Sequence, residues 1–165
     1  MKKVFLLLCI SMFLSVKGQE FYYGINSKIP IDTTDMVLVV NANYNVDSFV
    51  AKHNATIVSS DNLFTTVKYS GKKVYGGNVF PVYKTKGGGL LRFTDDILFY
   101  PQKPELLDSI KESFPIEILS ENEYYVRARV INSTYNALHV ANRIYESGWV
   151  TYSHPSFIVE IEFDI

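Results

Sequence analysis

The chain has 165 residues, 47% of them hydrophobic and 15% aromatic, with 12 tyrosines and 11 phenylalanines. That is ample material for a packed core, and it argues against an intrinsically disordered chain. Sixteen basic residues face 17 acidic ones, a balance that argues against nucleic acid as a partner.

Residues 1–18 read as a secretory signal peptide. Lys2 and Lys3 form a basic start, Val4 to Leu14 an apolar run too short to span a bilayer, and Val16-Lys17-Gly18 a cleavage site. Lipoprotein modification at Cys9 is disfavoured, since only Val4 to Leu8 would precede it as apolar run. Cleavage after Gly18 is expected, giving a periplasmic or extracellular product of a bacterial host. It removes Lys2, Lys3, Lys17 and the single cysteine, leaving 13 basic against 17 acidic residues, a net charge of about −4. The exported chain then has neither disulfide nor thiol chemistry. No later apolar run reaches transmembrane length, so no membrane partner is expected after signal removal.

Phe21 to Gly24 and Lys28 to Ile31 read as a hairpin around Asn26-Ser27, and Met36 to Val40 as a buried strand. Asn45 to His53 reads as a short helix capped by Asn45. Thr56 to Val58 and Phe64 to Tyr69 are strands turning at Asp61-Asn62. Gly71 to Gly77 is turn-rich, Val79 to Tyr83 a strand, and Gly87-Gly88-Gly89 a flexible linker. Beyond it come a strand at Ile97 to Tyr100, a helix at Pro104 to Phe114, and strands at Ile116 to Leu119 and Tyr124 to Val130. A helix at Thr134 to Ser147, capped by Asn132 or Ser133 and stopped by Gly148, leads to a strand at Trp149 to Ser153. Val159 to Ile165 alternates apolar and acidic residues, suited either to one more strand or to insertion in a partner's cleft.

From Ile97 the order is β-α-β-β-α-β. The fold class expected is α+β, with a ferredoxin-like C-terminal unit of two helices on an antiparallel sheet. Its domain is residues 90–165, preceded at 19–89 by a β-rich module. Met36 to Lys68 echoes Asp96 to Arg129: "ATIVSSDNLFTTVK" aligns with "IEILSENEYYVRAR", and Asp47-Ser48 with Asp108-Ser109. Chance patterning and a true duplication account for the echo about equally well; if it is real, the first half is a partial β-α-β-β copy lacking its second helix.

Catalytic signals are absent. His53, His139 and His154 have no ligand-type neighbour at metal spacing, so no metal or cofactor is expected. No serine sits in a nucleophile elbow, and Asp32-Thr33-Thr34 lacks the glycine of an aspartic-protease site and reads as a turn. Lys84 to Gly89 has its lysines before the glycines, the wrong order for a phosphate loop. Asn54-Ala55-Thr56 and Asn132-Ser133-Thr134 fit the glycosylation sequon, which matters only in a eukaryotic host. No enzyme is expected and no residue is assigned a catalytic role.

On the strand from Tyr124, alternation places Tyr124, Val126, Ala128 and Val130 on one face and Tyr125, Arg127 and Arg129 on the other. With Val150 and Tyr152 in the core, Trp149, Thr151 and Ser153 would join the second face. Aromatic residues and arginines suit a protein-binding patch, although an ordinary solvated sheet face has the same pattern.

"ALHVANRIYESGWVTYSHPSFI", Ala137 to Ile158, resembles the end of the propeptides of bacterial subtilisin-like serine proteases, of the fervidolysin type. Their pattern is a helix ending Tyr-Glu-(Ser/Thr)-Gly, a short strand, and Pro-x-Phe, here Tyr145 to Gly148, Trp149 to Ser153, and Pro155 to Phe157. "EYYVRARV" and "FYYGINSKIPIDTTDMVLVV" resemble the middle and start of such propeptides. The resemblance implies a ferredoxin-like fold, one sheet face docked on two surface helices of the protease, and a following segment inserted in the active-site cleft. Carried over, Tyr125, Arg127, Arg129, Trp149 and Thr151 would dock, and Ser156, Phe157 and Ile158 would begin the inserting tail. The segments that carry the family's catalytic triad have no counterpart here, so no activity is implied. The function expected is that of a secreted stand-alone protein that binds a subtilisin-like protease and inhibits it or assists its folding. The alternatives are a truncated protease precursor and a secreted binding module unrelated to proteolysis.

Overall fold

The structure, a computed structural model, describes residues 20–24, 27–69, 77–131 and 136–158. The elements in chain order are β1 (Phe21–Tyr23), β2 (Lys28–Val40), α1 (Val46–His53), β3 (Thr56–Ser60), β4 (Phe64–Lys68), β5 (Val79–Thr85) and β6 (Leu90–Pro101), followed by α2 (Leu106–Ser113), β7 (Ile116–Glu121), β8 (Val126–Val130), α3 (Ala137–Glu146) and β9 (Val150–Ile158). The described residues thus form an α+β fold, three α-helices with a nine-stranded sheet in which every pairing is antiparallel.

Local chemistry sets the helix ends. Asn45 Oδ1 accepts from Ser48 N at 2.9 Å to start α1, and Asn54 closes it in the left-handed region with φ 46°. Asn136, rather than Asn132 or Ser133, caps α3, its Oδ1 accepting from His139 N at 2.9 Å; residues 132–135 lie outside the described residues. Gly148 follows α3 at φ 74°, where a side chain would be strained.

Three expectations change. Asp32-Thr33-Thr34 is not a turn but the middle of β2, which runs unbroken through a bulge between Thr33 and Val37. β6 starts at Leu90, well before Ile97. Gly87 to Gly89 are a tight hairpin turn: Thr85 N donates to Gly89 O at 2.9 Å and Gly88 N to Thr85 O at 3.0 Å. The sheet continues across this turn, with Val82, Tyr83 and Lys84 opposite Arg92, Leu91 and Leu90.

The echo between the halves extends to backbone register. β6 pairs with β8 as β2 pairs with β4: Val37 faces Val67 and Ile97 faces Ala128, while Val39 faces Thr65 and Phe99 faces Val126. β3 against β4 slips between Ile57 and Ser59, and β7 against β8 slips between Ile118 and Ser120, the same place 61 residues on. β5 on β2 and β9 on β6 also correspond, with Pro81 opposite Val37 and Pro155 opposite Ile97, and with slips between Thr33 and Val37 and between Phe93 and Ile97. Even the turns agree. Asp61 Oδ1 accepts from Leu63 N and Phe64 N, and Asn122 Oδ1 from Tyr124 N and Tyr125 N. Each half is a four-strand array, β5-β2-β4-β3 and β9-β6-β8-β7. Residues 69–78 join β4 to β5 where 131–149, with α3, join β8 to β9; residues 70–76 lie outside the described residues.

Each half buries the same sheet face under its helices. Val37, Val39, Val67 and Phe49 of α1 pack together in the first half. Ile97, Phe99, Ala128, Ile110 of α2 and Leu138 and Ile144 of α3 form the larger core, which also takes Ile31 and Tyr83 from the first half. Phe99 is fully buried. Phe99→Ala lowers stability by about 3–5 kcal/mol in urea unfolding. Asp61→Ala and Asn122→Ala each cost about 1 kcal/mol, and their effects add because the turns lie in separate halves.

Candidate functional site

The helices leave the opposite face of the second half open. In an antiparallel pair, residues directly opposite share a face. Asp96 faces Arg129, and Leu98 faces Arg127 on one side and His154 on the other; Tyr100 faces Tyr152. Val126, Ala128 and Val130 point into the core, so Arg127 and Arg129 emerge on the open face, as the alternation of β8 predicts.

Asp96 organises this face. It is buried, and its carboxylate takes both guanidinium groups. Arg127 donates from Nε to Asp96 Oδ2 at 3.0 Å and again through Nη2, and Arg129 donates from Nε to Asp96 Oδ1 at 3.2 Å. Both arginine side chains remain about half exposed, at 48% and 51%. Such partly solvated pairs add little stability, but the planar forks are held in place and keep outward donors for a partner. The unit carries a net positive charge of one.

Beside the clamp a cleft of about 480 Å³ separates the halves, with Thr94, Asp95, Asp96, Arg127 and Arg129 on one wall and Val40, Phe64 and Phe80 on the other. Burial pushes the Asp95 carboxyl up, the charge of Asp96 adds to this, and Arg129 opposes it.

At the other end lies a row of rings. Tyr100 and Tyr152 stack at 6.4 Å, Tyr152 and His154 at 5.7 Å. Tyr152 Oη donates to Tyr124 O at 2.6 Å. Burial raises the Tyr152 phenol, with Tyr100 and Tyr125 adding, so it is a neutral donor at physiological pH.

The residues singled out from the sequence separate into two groups. Tyr125, half-buried just before β8, Arg127 and Arg129 lie together on the open face. Trp149 instead packs on the main core, its ring edge-on to Phe114 at 6.4 Å. Thr151 is exposed, but it is the extra residue of a β-bulge: Pro101 faces Val150 while Tyr100 faces Tyr152. One inserted residue inverts the alternation beyond it. Ser153 is therefore buried opposite Phe99, and Tyr152 and His154 are on the open face, the reverse of the expected phase. Ser156, Phe157 and Ile158 are the end of β9, Phe157 opposite Phe93 and Ile158 opposite Arg92. The segment Val159 to Ile165 lies outside the described residues.

Sequence reasoning missed Asp96, Tyr100, Tyr152 and His154. A longer β6 would have shown Asp96, Leu98 and Tyr100 as one stripe. Tyr152 and His154 depend on the bulge, which leaves no signature in local composition.

The matching face of the first half is sheltered by the chain itself. Leu38, Phe80 and Val82 are buried there with Ile158 against them, and Arg92 Nη1 donates to Thr66 Oγ1 at 3.4 Å. Their counterparts by register are Leu98, His154, Ser156 and, for Thr66, Arg127. One face of the same scaffold is covered and apolar; the other is open and carries rings and guanidinium groups.

Elsewhere, His53 packs against the rings of Phe49 and Tyr69, which also touch each other, and His139 Nε2 lies 3.3 Å from Glu20 Oε2. Among the described residues no group of three His, Cys, Asp or Glu side chains is placed to hold a metal, and no helix is long and apolar enough to cross a membrane. Comparisons of the chain with protein-family models, with curated proteins and with solved structures find no match.

Because the Asp95 carboxyl has a higher pKa folded than unfolded, its ionisation costs stability at neutral pH, and the cost fades as pH falls through the folded-state value. Asp95→Asn therefore raises the melting temperature at neutral pH, and the gain disappears at acidic pH in paired thermal unfolding scans.

Proposed function

We propose that this is a secreted protein-binding module made of two ferredoxin-like units, the first without its second helix, and that the open face of the second unit docks on a subtilisin-like serine protease. The strand order β9-β6-β8-β7 with α2 and α3 on one face supports the ferredoxin-like reading, and the repeated register supports the duplication. The observation that carries the binding reading is the open face itself: Tyr100, Tyr125, Arg127 and His154 stand where the first unit has Val40, Phe64, Thr66 and Phe80, while Arg129 stands where it has Lys68. Large rings and preset arginines give contact area at low entropic cost. The partner class comes from the likeness of Ala137 to Ile158 to subtilase propeptides.

Docking and inhibition are separable in this reading. The described residues supply a docking face, whereas Ser156 to Ile158 are held in the sheet, so cleft insertion falls to the chain beyond Ile158. The net charge of the arginine clamp directs the face toward an acidic or carbonyl-rich surface, such as the C-terminal ends of helices.

Titration calorimetry against a panel of purified bacterial subtilisin-like proteases tests this. Micromolar or tighter binding is expected, weakened about 30-fold by the double change Tyr100→Ser and Tyr152→Ser, with the circular dichroism spectrum unchanged. Binding of some other secreted protein through the same residues, with no protease bound, would support the module unrelated to proteolysis instead.

A further inference from the structure

The outer edge of β9 is a second place where a polypeptide can add. Among the described residues β9 pairs only with β6, so the hydrogen-bonding groups along its other edge are unmatched by any strand. Along this edge runs a groove of about 680 Å³ lined by Tyr22, Tyr23, Tyr145, Tyr152, His154 and Phe157. These residues come from β1, from the end of α3 and from both faces of β9, so the groove follows the strand edge and is not confined to one face.

The duplication says what such an edge takes. In the first half the corresponding edge belongs to β5, and it is occupied: Leu90, Leu91 and Arg92 lie antiparallel to it, opposite Lys84, Tyr83 and Val82. Register equates Tyr83 with Phe157 and Lys84 with Ile158, since Thr33 faces Tyr83 where Phe93 faces Phe157, and Asp32 faces Lys84 where Arg92 faces Ile158. Ser156, Phe157 and Ile158 therefore present the edge that Val82, Tyr83 and Lys84 use to hold a strand. In the first half Leu91 packs beside Tyr83 in the main core. At the second edge the same position lies over Phe157, whose ring is 5.2 Å from Tyr22 and 5.9 Å from Phe93.

We infer that the outer edge of β9 binds an extended polypeptide segment as an added antiparallel strand, with an apolar side chain of that segment seated over Phe157 between Tyr22 and Tyr145. Main-chain hydrogen bonds supply affinity, and the aromatic groove selects an apolar residue at alternate positions. The segment is of the kind that the first half already holds, two apolar residues followed by a basic one. The site meets the open face at Tyr152 and His154 but uses neither Arg127 nor Arg129, and a peptide titration reads it with no protease present.

The probe is a synthetic peptide of the sequence Gly88 to Thr94, which copies the strand held by β5. Amide shifts of the isotope-labelled protein are followed on titration, with two peptide variants N-methylated at alternate residues. The expected result is shifts and slowed amide exchange at residues 152–158, abolished or weakened at least about ten-fold by one methylated set and spared by the other, because only alternate amides of an added strand face the protein. Equal binding by both methylated sets, shifts centred on Arg127 and Tyr100, or no binding would overturn the inference. So would protection, before peptide is added, of those amides of residues 152–158 that point away from β6, which would mean that the chain or a second copy already covers the edge. Tyr145→Ala, at the groove wall, lowers peptide affinity without altering the methylation pattern.

Discussion

The constraint on which the rest of the structure depends is the double occupancy of β6. It receives β9 along nearly its whole length on one edge, and on the other first β5 and then β8. A strand paired on both edges and buried on one face must be apolar on that face, and Phe93, Ile97 and Phe99 are. Where β5 leaves and β8 joins, Thr94 and Asp95 belong to neither ladder, and the cleft between the halves opens there. The same irregularity sets Asp96 at the start of the β8 ladder, within reach of both arginines. Fold, cleft and arginine clamp thus share one origin.

The repeated register leaves the two halves free to differ on one face. It preserves the backbone scaffold, slips included, while side chains on the non-helical face diverge freely. In the first half that face carries Leu38, Phe80 and Val82, with Ile158 packed against them and Arg92 bonded to Thr66. Burial of such side chains is worth roughly 1.5–3 kcal/mol each, so this packing secures the junction between halves. The second half has no such cover among the described residues, and its rings and guanidinium groups suit a surface that meets water and a partner in turn.

The two surfaces proposed for binding differ in kind. The open face offers side chains fixed by Asp96 and by ring stacking, so its selectivity would come from shape and charge. The β9 edge offers backbone, so its selectivity would come from the groove that flanks it. A module carrying both can engage a folded surface and an extended segment at once, and the two contacts would reinforce each other if a single partner supplied both.

Much was written in the sequence by itself. Periodicity placed the three helices, α1 and the end of α3 within a residue, because Asn45 and Gly148 do their work locally through a capping side chain and a left-handed turn, while the start of α3 lies three residues beyond the expected Thr134. The alternation of β8 gave the orientation of Arg127 and Arg129, because a strand with one buried face has a period of two. The echo between Met36–Lys68 and Asp96–Arg129 was legible because matched core and turn residues are local, and the backbone register repeats it. What only the tertiary structure decided is where that period breaks. The bulge at Thr151 turned Tyr152 and His154 outward and Ser153 inward; the merging of Lys28 to Val40 into one strand absorbed Asp32 to Thr34; and the glycines at 87–89 became a hairpin because β5 and β6 pair. Each outcome depends on a partner strand distant in sequence, and a local pattern carries no information about the strand it will meet.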